Sequence, residues 1–173
     1  ALQDLHRLYE EVRSYAAPIH LEFRNCDLST IWRKEWDNLT HLRRDKSVEL
    51  IEDDGNEHLM CDVDVHRLEQ VFRNILENAI HACSGRAEPG QVIVHCRQSE
   101  INGLPAAKVI VRDNGPGMTS QVASQIFEPF FTTKSAGDSQ GLGLGLSVSR
   151  GLVCAMGGRI EVHTEPAGGA TFT

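Results

Sequence analysis

The sequence has few basic residues, no paired cysteine motif and no long apolar run, and each of these shortages excludes a class of protein. Lys and Arg number 17 against 24 Asp and Glu, and the resulting net charge of −7 argues against a dedicated DNA-binding domain. The five cysteines are odd in number and include no C-x-x-C pair, which favours buried, reduced thiols. No apolar run approaches the roughly 18–20 residues that span a bilayer.

Glycine is also scarce over most of the chain. The first 102 residues contain only Gly55, Gly85 and Gly90, whereas the other twelve of the 15 glycines lie between Gly103 and Gly169. A length of 173 residues with 40% hydrophobic residues suits one globular domain, or a domain with an appendage, and argues against disorder. The C-terminal region therefore needs unusual backbone freedom.

Hydrophobic periodicity and turn residues predict an order of helices and strands. The predicted helices cover residues 2–12, 28–39, 65–83, 119–126 and 146–156. The predicted strands cover 19–23, 48–51, 59–63, 92–97, 107–113, 159–164 and 170 onward. Asp27 or Ser29 is expected to cap the second helix and Asp64 the third. The strands follow one another mostly as hairpins, which favours a layered α+β sandwich over βαβ repeats.

Two asparagines stand out in the predicted helix at 65–83. Asn74 and Asn78 are four residues apart, so both amides leave one face of a helix whose other face is apolar. An amide oxygen is a suitable ligand for a hard cation. The alternative is that both amides are solvated or satisfied locally.

An apolar strand is predicted to end at Asp113, followed by a sharp turn, Asn114-Gly115-Pro116-Gly117. An ordinary turn is one interpretation, since these residues are good turn formers. The functional interpretation is that Asp113 accepts a hydrogen bond from an amino group at a pocket mouth. Gly115 and Gly117 would then let a flat ligand approach the backbone.

Alternating glycines precede the last predicted helix in the run Gly141-Leu142-Gly143-Leu144-Gly145. Glycines ahead of a helix N-terminus expose backbone N–H groups to an anion, and the helix dipole adds attraction. The spacing matches neither the P-loop nor G-x-G-x-x-G. A flexible hinge is the alternative, and the two interpretations are compatible.

Aromatic residues make up only 6% of the chain, yet Phe127, Phe130 and Phe131 fall within the segment FEPFFTTK. Aromatics beside a glycine-rich stretch suit a loop anchor. The alternative is that these aromatic side chains form a small hydrophobic cluster beside the core.

In this order and spacing, the four segments resemble the N, first glycine, F and second glycine boxes of bacterial sensor histidine kinases. The resemblance covers residues 64–173. It implies the GHKL, or Bergerat, fold: a two-layer α/β sandwich with a mixed, mostly antiparallel sheet and helices on one face. It also implies a protein histidine kinase that binds ATP and Mg²⁺.

The resemblance assigns a role to each matching position. Asn78 would coordinate Mg²⁺, Asn74 would support the metal and phosphates, and Asp113 would bind the adenine amino group. Residues 133–141 would form a mobile lid over the nucleotide. The implied ATP-binding residues are Asn74, Asn78, His81, Asp113, Gly115, Gly117, Lys134, Gly141, Leu142, Gly143, Leu144, Gly145 and Thr171.

Departures from the family pattern sharpen these expectations. His81 stands where many members have Lys, so Lys134 or Arg73 is considered as a substitute phosphate partner. Asn74 stands where relatives that hydrolyse ATP vigorously have a water-activating Glu, which disfavours hydrolysis. Glu77 is adjacent in sequence but about 100° round the helix, so no general base is assigned.

None of the eight histidines has the acidic residue and downstream Pro of a phosphoacceptor helix. The expectation is that residues 1–17 are the end of a dimerisation helix and its linker, residues 18–173 are the catalytic domain, and the acceptor lies elsewhere. The implied partners are the histidine-bearing dimerisation domain of the same kinase, a response regulator and a second subunit. Nucleic acid and direct membrane contact are not expected. A cytoplasmic domain is expected, whether or not the parent protein is membrane-anchored.

Two other functions stay open from the sequence. One is a serine kinase of the same superfamily. The other is a non-catalytic module whose lid transmits ATP occupancy to a partner.

Overall fold

The computed structural model describes residues 19–44, 46–52, 58–84, 89–133 and 142–173. Within them the helices are α1 (Leu28–Asn38), α2 (Thr40–Arg43), α3 (Val65–Cys83), α4 (Ser120–Ala123) and α5 (Gly145–Ala155). The strands are β1 (Phe23–Asp27), β2 (Val48–Glu52), β3 (Met60–Asp64), β4 (Gly90–Ile101), β5 (Leu104–Asp113), β6 (Val162–Thr164) and β7 (Ala170–Phe172). The predicted helix at 2–12 lies outside the described residues.

Five of these strands form the main sheet, in the order β2-β4-β5-β7-β6. The β2–β4 pair is parallel and the other pairs are antiparallel. Val92, Val94 and Cys96 are fully buried on one face, against the helices, while the residues between them are more exposed. The α+β fold with a mixed, mostly antiparallel sheet is confirmed.

The long hairpin of β4 and β5 is the centre of this sheet. It turns at Asn102 and Gly103, whose φ angles are 53° and 77°. Two consecutive positive φ angles are the mark of the tight hairpin turn that Asn-Gly favours. Both strands are longer than predicted because the ladder continues to this turn.

Helix α3 begins and ends where the sequence predicts. The Asp64 carboxylate accepts a hydrogen bond from the Arg67 backbone N–H at 3.0 Å, which satisfies one of the open donors of the first turn. The apolar face of α3 is buried, with Leu76 and Ile80 fully inaccessible. Phe72 on this face packs edge-on against Trp32 of α1, with ring centroids 5.9 Å apart.

A charged pair joins α1 to α3. Glu35 is fully buried, and its carboxylate accepts from Arg73 Nε at 2.8 Å and from the Asn38 side chain at 3.0 Å. A buried carboxylate is costly unless it is paired and hydrogen-bonded. This pairing links the two helices next to Asn74, on the neighbouring position of α3.

The first strand covers residues 23–27, so the predicted strand at 19–23 is wrong in its bounds. Phe23 to Asp27 pair with Asp64 to Met60, and the Asn25 side chain donates to Asp62 at 2.9 Å across the pair. The side chains of Ile19 and Phe23, which belong to the alternating pattern behind the prediction, are exposed. Pairing with β3, which sequence periodicity does not show, sets the true boundaries.

The strands at 48–51 and 59–63 belong to different sheets, although only a turn was predicted between them. β2 lies parallel to β4, whereas β3 forms a separate two-stranded sheet with β1. The predicted turn at 53–56 lies outside the described residues.

Candidate functional site

Helix α3 presents its polar residues as one stripe at the edge of the core. Asn74, Asn78 and His81 are half-buried and follow at intervals of four and three residues. This spacing keeps them on one helix face. The apolar residues between them, such as Ile75 and Ala79, are buried. The structure therefore places the three predicted α3 residues side by side.

Asn74 links this stripe to the start of α5. Its side-chain N–H₂ donates to the Gly145 carbonyl oxygen at 2.9 Å and to the Ser149 hydroxyl oxygen at 3.0 Å. Ser149 is fully buried, and its hydroxyl donates to the same carbonyl at 2.8 Å. A Cβ on Gly145 would lie 3.3 Å from Asn74 Cγ, so glycine permits this close approach.

The glycine segment before α5 is held by the aromatic segment. Gly143 has a φ of +73°, and a Cβ there would lie 2.5 Å from the Phe131 carbonyl oxygen. Leu144 is buried in the core, and Leu142 is half-buried against it. Phe127 packs edge-on against Phe172, with centroids 6.5 Å apart, so the aromatic segment is itself anchored.

The N-terminus of α5 is suited to an anion. The residue before the helix, Leu144, has no side-chain acceptor for the backbone N–H groups of the first turn. Such groups carry a partial positive charge that the helix dipole reinforces. The first turn, beginning at Gly145, lies beside Asn74, so an anion there would face the polar stripe of α3.

Asp113 ends β5 and is rigidly oriented. Its side chain is 4% exposed, and Oδ1 accepts from the backbone N–H groups of Gly115 at 2.8 Å and Ala170 at 3.2 Å. The adjacent Asn114 is also fixed, because its Oδ1 accepts from the Gln91 N–H at 2.9 Å. A buried carboxylate in a fixed orientation is suited to recognising a specific donor.

The loop after Asp113 packs between α3 and the β6–β7 turn. A Cβ on Gly115 would lie 2.8 Å from the Ala82 Cβ, and one on Gly117, whose φ is +68°, would lie 1.9 Å from the Glu165 carbonyl oxygen. The Met118 N–H donates to the Thr164 hydroxyl at 2.9 Å. Glycine at both positions lets the backbone of this loop pack close to Ala82 and Glu165.

The comparisons with known proteins agree with this geometry. Residues 63–173 match the family of histidine kinase-, DNA gyrase B- and HSP90-like ATPases. This chain belongs to that ATPase family. Its match begins at β3 and includes α3, the turn after Asp113 and the glycine segment before α5.

Relatives of this ATPase domain include sensor histidine kinases. The chain is 37% identical over 159 residues to the C4-dicarboxylate transport sensor protein DctB of Pseudomonas aeruginosa, a match that covers 92% of this chain and 25% of that protein. The chain thus spans about a quarter of that relative's length.

Solved histidine kinases have the same fold. The catalytic domain of histidine kinase ThkA matches with a TM-score of 0.70 and 29% identity over 87% of this chain and 92% of that one. Full-length ShkA in complex with AMPPNP matches with a TM-score of 0.77 and 28% identity over 99% of this chain and 34% of that one. ThkA in complex with response regulator protein TrrA matches with a TM-score of 0.74 and 25% identity, over 99% and 46% of the two chains.

Thr171 does not join the site of the ATPase domain. It pairs with Arg112 on β5 and His163 on β6, so its side chain lies on the same sheet face as theirs. Successive side chains alternate between faces, which puts Asp113 and Ala170 together on the opposite face. Thr171 instead lines an outer groove of about 310 Å³.

Arg73 also departs from expectation. Its guanidinium pairs with Glu35, and this hydrogen bond raises the pKa of Arg73 despite the opposing effect of burial. Its charge is therefore committed to the α1–α3 contact, and it does not serve as the substitute phosphate partner. Lys134 and Gly141, with most of the expected lid, lie outside the described residues.

Sequence reasoning missed two contributors to the site. Ser149 completes the contact between Asn74 and Gly145, but one serine inside a helix carries no distinguishing signal. Gly169 has a φ of +78°, and a Cβ there would lie 2.0 Å from the Asp113 carbonyl oxygen. The pair Gly168-Gly169 before a strand was the available signal for this close approach.

The donor set fits a cation that arrives with a nucleotide. Within the described residues, no three His, Cys, Asp or Glu side chains group as a metal site. Mg²⁺ commonly keeps several waters and takes one or two protein ligands together with phosphate oxygens. The half-buried Asn78, one turn from Asn74, offers one amide oxygen for such a site.

Also within the described residues, no helix is long and apolar enough to cross a membrane.

Proposed function

We propose that this chain binds ATP with Mg²⁺ and is the catalytic domain of a sensor histidine kinase. In this proposal it presents the γ-phosphate to a histidine on a separate dimerisation domain. The observation that carries the proposal is the contact of Asn74 with Gly145. This contact places an amide-bearing helix face directly against a helix N-terminus suited to phosphate.

Asp113 is the proposed adenine-binding residue. An adenine amino group is a donor, and the buried carboxylate is an acceptor whose orientation is fixed by the Gly115 and Ala170 N–H groups. Gly115 and Gly117 are proposed to border the base with their backbone, since the space beside each Cα is already filled by Ala82 and Glu165 respectively. Specificity for adenine then follows from a single buried acceptor, since a 6-oxo base would present an oxygen instead.

The triphosphate is proposed to lie along the glycine segment and the first turn of α5. Backbone N–H groups of Gly143 and Gly145, together with Leu142, Leu144, Lys134 and Gly141, are the proposed contacts. Asn78 would hold Mg²⁺, which offsets phosphate charge when bound. His81, on the same stripe, is the remaining α3 candidate for a phosphate contact.

The proposed chemistry is phosphoryl transfer in line to an imidazole nitrogen. Little covalent work is required of the protein, because positioning and charge stabilisation supply most of the catalysis. Asn74 has no basic group to activate water, and its N–H₂ is used by Gly145 and Ser149. This supports transfer to a histidine over rapid hydrolysis.

The proposal extends to the parent protein. Residues 1–17 are proposed as the end of a dimerisation helix and linker, and 18–173 as the catalytic domain. The acceptor domain, a second kinase subunit and a response regulator are the proposed partners, and the ThkA–TrrA complex supports the last of these. The domain is proposed to work in the cytoplasm, where ATP and a response regulator are available.

The test is transfer from γ-labelled ATP to the dimerisation domain of the same parent protein, prepared separately. We expect acid-labile label on that domain when this chain is present, and little label on this chain alone. Acid-stable label on serine would instead establish a serine kinase. Calorimetric ATP binding with no transfer to the added domain would establish a nucleotide-sensing module.

A further inference from the structure

A pair of cysteines lies outside the nucleotide site, in the two-stranded sheet. Cys26 of β1 and Cys61 of β3 are directly opposite each other in the antiparallel register. The neighbouring pair fixes this register, because the Asn25 side chain donates to Asp62 across the strands at 2.9 Å. Opposed residues in such a pair point their side chains to the same face.

The spacing of opposed residues suits a disulfide. Their Cα atoms are separated by about 4.5 or 5.5 Å, depending on the position in the ladder. Disulfides join Cα atoms about 4.4–6.8 Å apart, a range that includes both values. The Cβ atoms of opposed residues are about 4.5–5.5 Å apart and those of a disulfide about 3.5–4.5 Å, so Cys26 and Cys61 can be joined by a small approach of the two strands.

The surroundings keep both thiols protonated near neutral pH. Burial, followed by the nearby carboxylates of Asp27 and Asp62, raises the pKa of the Cys26 thiol. Burial also raises the pKa of Cys61, followed by the nearby negative charges of Cys26, Asp62 and Asp27. Because the thiolate is the nucleophile, exchange is slow at neutral pH and faster in alkali.

The pair sits where it would restrain two helices. Asp27, immediately after Cys26, caps α1, and Asp64, three residues after Cys61, caps α3. A bond between the cysteines would close a loop that contains α1, α2 and β2. Closing such a loop restricts the unfolded chain and raises stability.

We propose that Cys26 and Cys61 are a reversible thiol–disulfide site of this domain, oxidised by low-molecular-weight disulfides. One protein thiolate attacks the small disulfide, forming a mixed disulfide and releasing one small thiol. The second protein thiolate then attacks the protein sulfur of that mixed disulfide and releases the second small thiol. The two cysteines lose two electrons and two protons in total, and the small disulfide gains them.

The experiment uses oxidised glutathione above neutral pH and a Cys154→Ser background, because Cys154 is exposed and would react by itself. We expect a product lighter by two hydrogen atoms, with a peptide linking residues 26 and 61. We also expect a melting temperature higher by about 5 °C or more, reversed by reductant. Both readouts are independent of kinase activity.

Cys26→Ser and Cys61→Ser in the same background are the matched controls. Each should take up one glutathione at the remaining thiol and show no rise in melting temperature. The reduced controls should melt close to the reduced parent, which separates loss of the bond from loss of the fold. A parent that carries glutathione on each cysteine with no internal bond, or that stays fully reduced, would overturn the proposal.

Discussion

The side-chain amide of Asn74 reaches across from α3 to the first carbonyl of α5, where it donates to Gly145 at 2.9 Å. The same N–H₂ group donates to Ser149 at 3.0 Å. One residue thereby fixes the distance between the helix proposed to bind the metal and the helix N-terminus proposed to bind phosphate. The site depends on this contact even if Asn74 touches no ligand.

Asn74→Ala should lower the free energy of unfolding by about 1–3 kcal/mol, because partly buried hydrogen bonds to α5 are lost. Ser149→Ala should cost less, since Asn74 retains its bond to Gly145. Urea unfolding of both single variants and the double variant measures the coupling. Strictly additive effects would contradict a shared hydrogen-bond network.

Asn78→Ala should weaken ATP binding in Mg²⁺ about tenfold or more, a loss of about 1.4 kcal/mol, because the proposed metal ligand is removed. ATP binding in a chelator should change little. Calorimetry under both conditions measures the difference, with Gln121→Ala, at an exposed position of α4, as the control. Equal losses of ATP affinity with and without Mg²⁺ would show that Asn78 is not a metal ligand.

Asp113→Asn should change which base is preferred. The amide keeps an oxygen for the Gly115 and Ala170 N–H groups but adds a donor that suits a 6-oxo base. The preference for ATP over inosine triphosphate should fall about tenfold or more. Competition binding measures this ratio, and Asp37→Asn, on the exposed side of α1, should leave it unchanged.

Gly117→Ala and Gly103→Ala separate backbone strain from lack of space. Both glycines have positive φ, but a Cβ at Gly103 has nothing within 4 Å, whereas one at Gly117 would collide with Glu165. Gly103→Ala should lower the free energy of unfolding by about 1–2 kcal/mol, from backbone strain alone. Gly117→Ala should cost about 1–3 kcal/mol more, since the loop must shift. Denaturant unfolding measures both, and equal costs would contradict the tight packing.

Glu52 should make stability depend on acid pH. The Arg33 guanidinium, 2.7 Å away, lowers the pKa of this carboxyl; burial opposes this with the next largest effect, and a hydrogen bond from Trp32 adds to the lowering. Because the folded pKa lies below the unfolded one, the stabilisation is present above the unfolded pKa. It is lost as the pH falls through the folded pKa.

Glu52→Gln should therefore be less stable than the parent at neutral pH, and the difference should shrink in acid. Urea unfolding across the acid range measures this difference. The exposed Glu49→Gln on the same strand is the control. A stability gap that is independent of pH would contradict the assigned role of the ion pair.

Local sequence determined the main elements of this protein. The bounds of α3 followed from an N-cap and an apolar stripe, both of which depend only on neighbouring residues. Asn74 and Asn78 were placed on one face by helix geometry alone. The Asn-Gly pair at 102–103 carried the hairpin signal too, although the predicted strands stopped short of it.

Tertiary structure decided what those residues touch. Register put Thr171 on the outer face of the sheet and brought the Ala170 N–H to Asp113, because strand pairing depends on residues far apart in the chain. Folding also brought Arg73 into contact with Glu35, and Ser149 into contact with Asn74. The scarcity of glycines before residue 103 indicated that backbone freedom is needed later in the chain, and only packing showed which carbonyl oxygens Gly117, Gly143 and Gly169 approach.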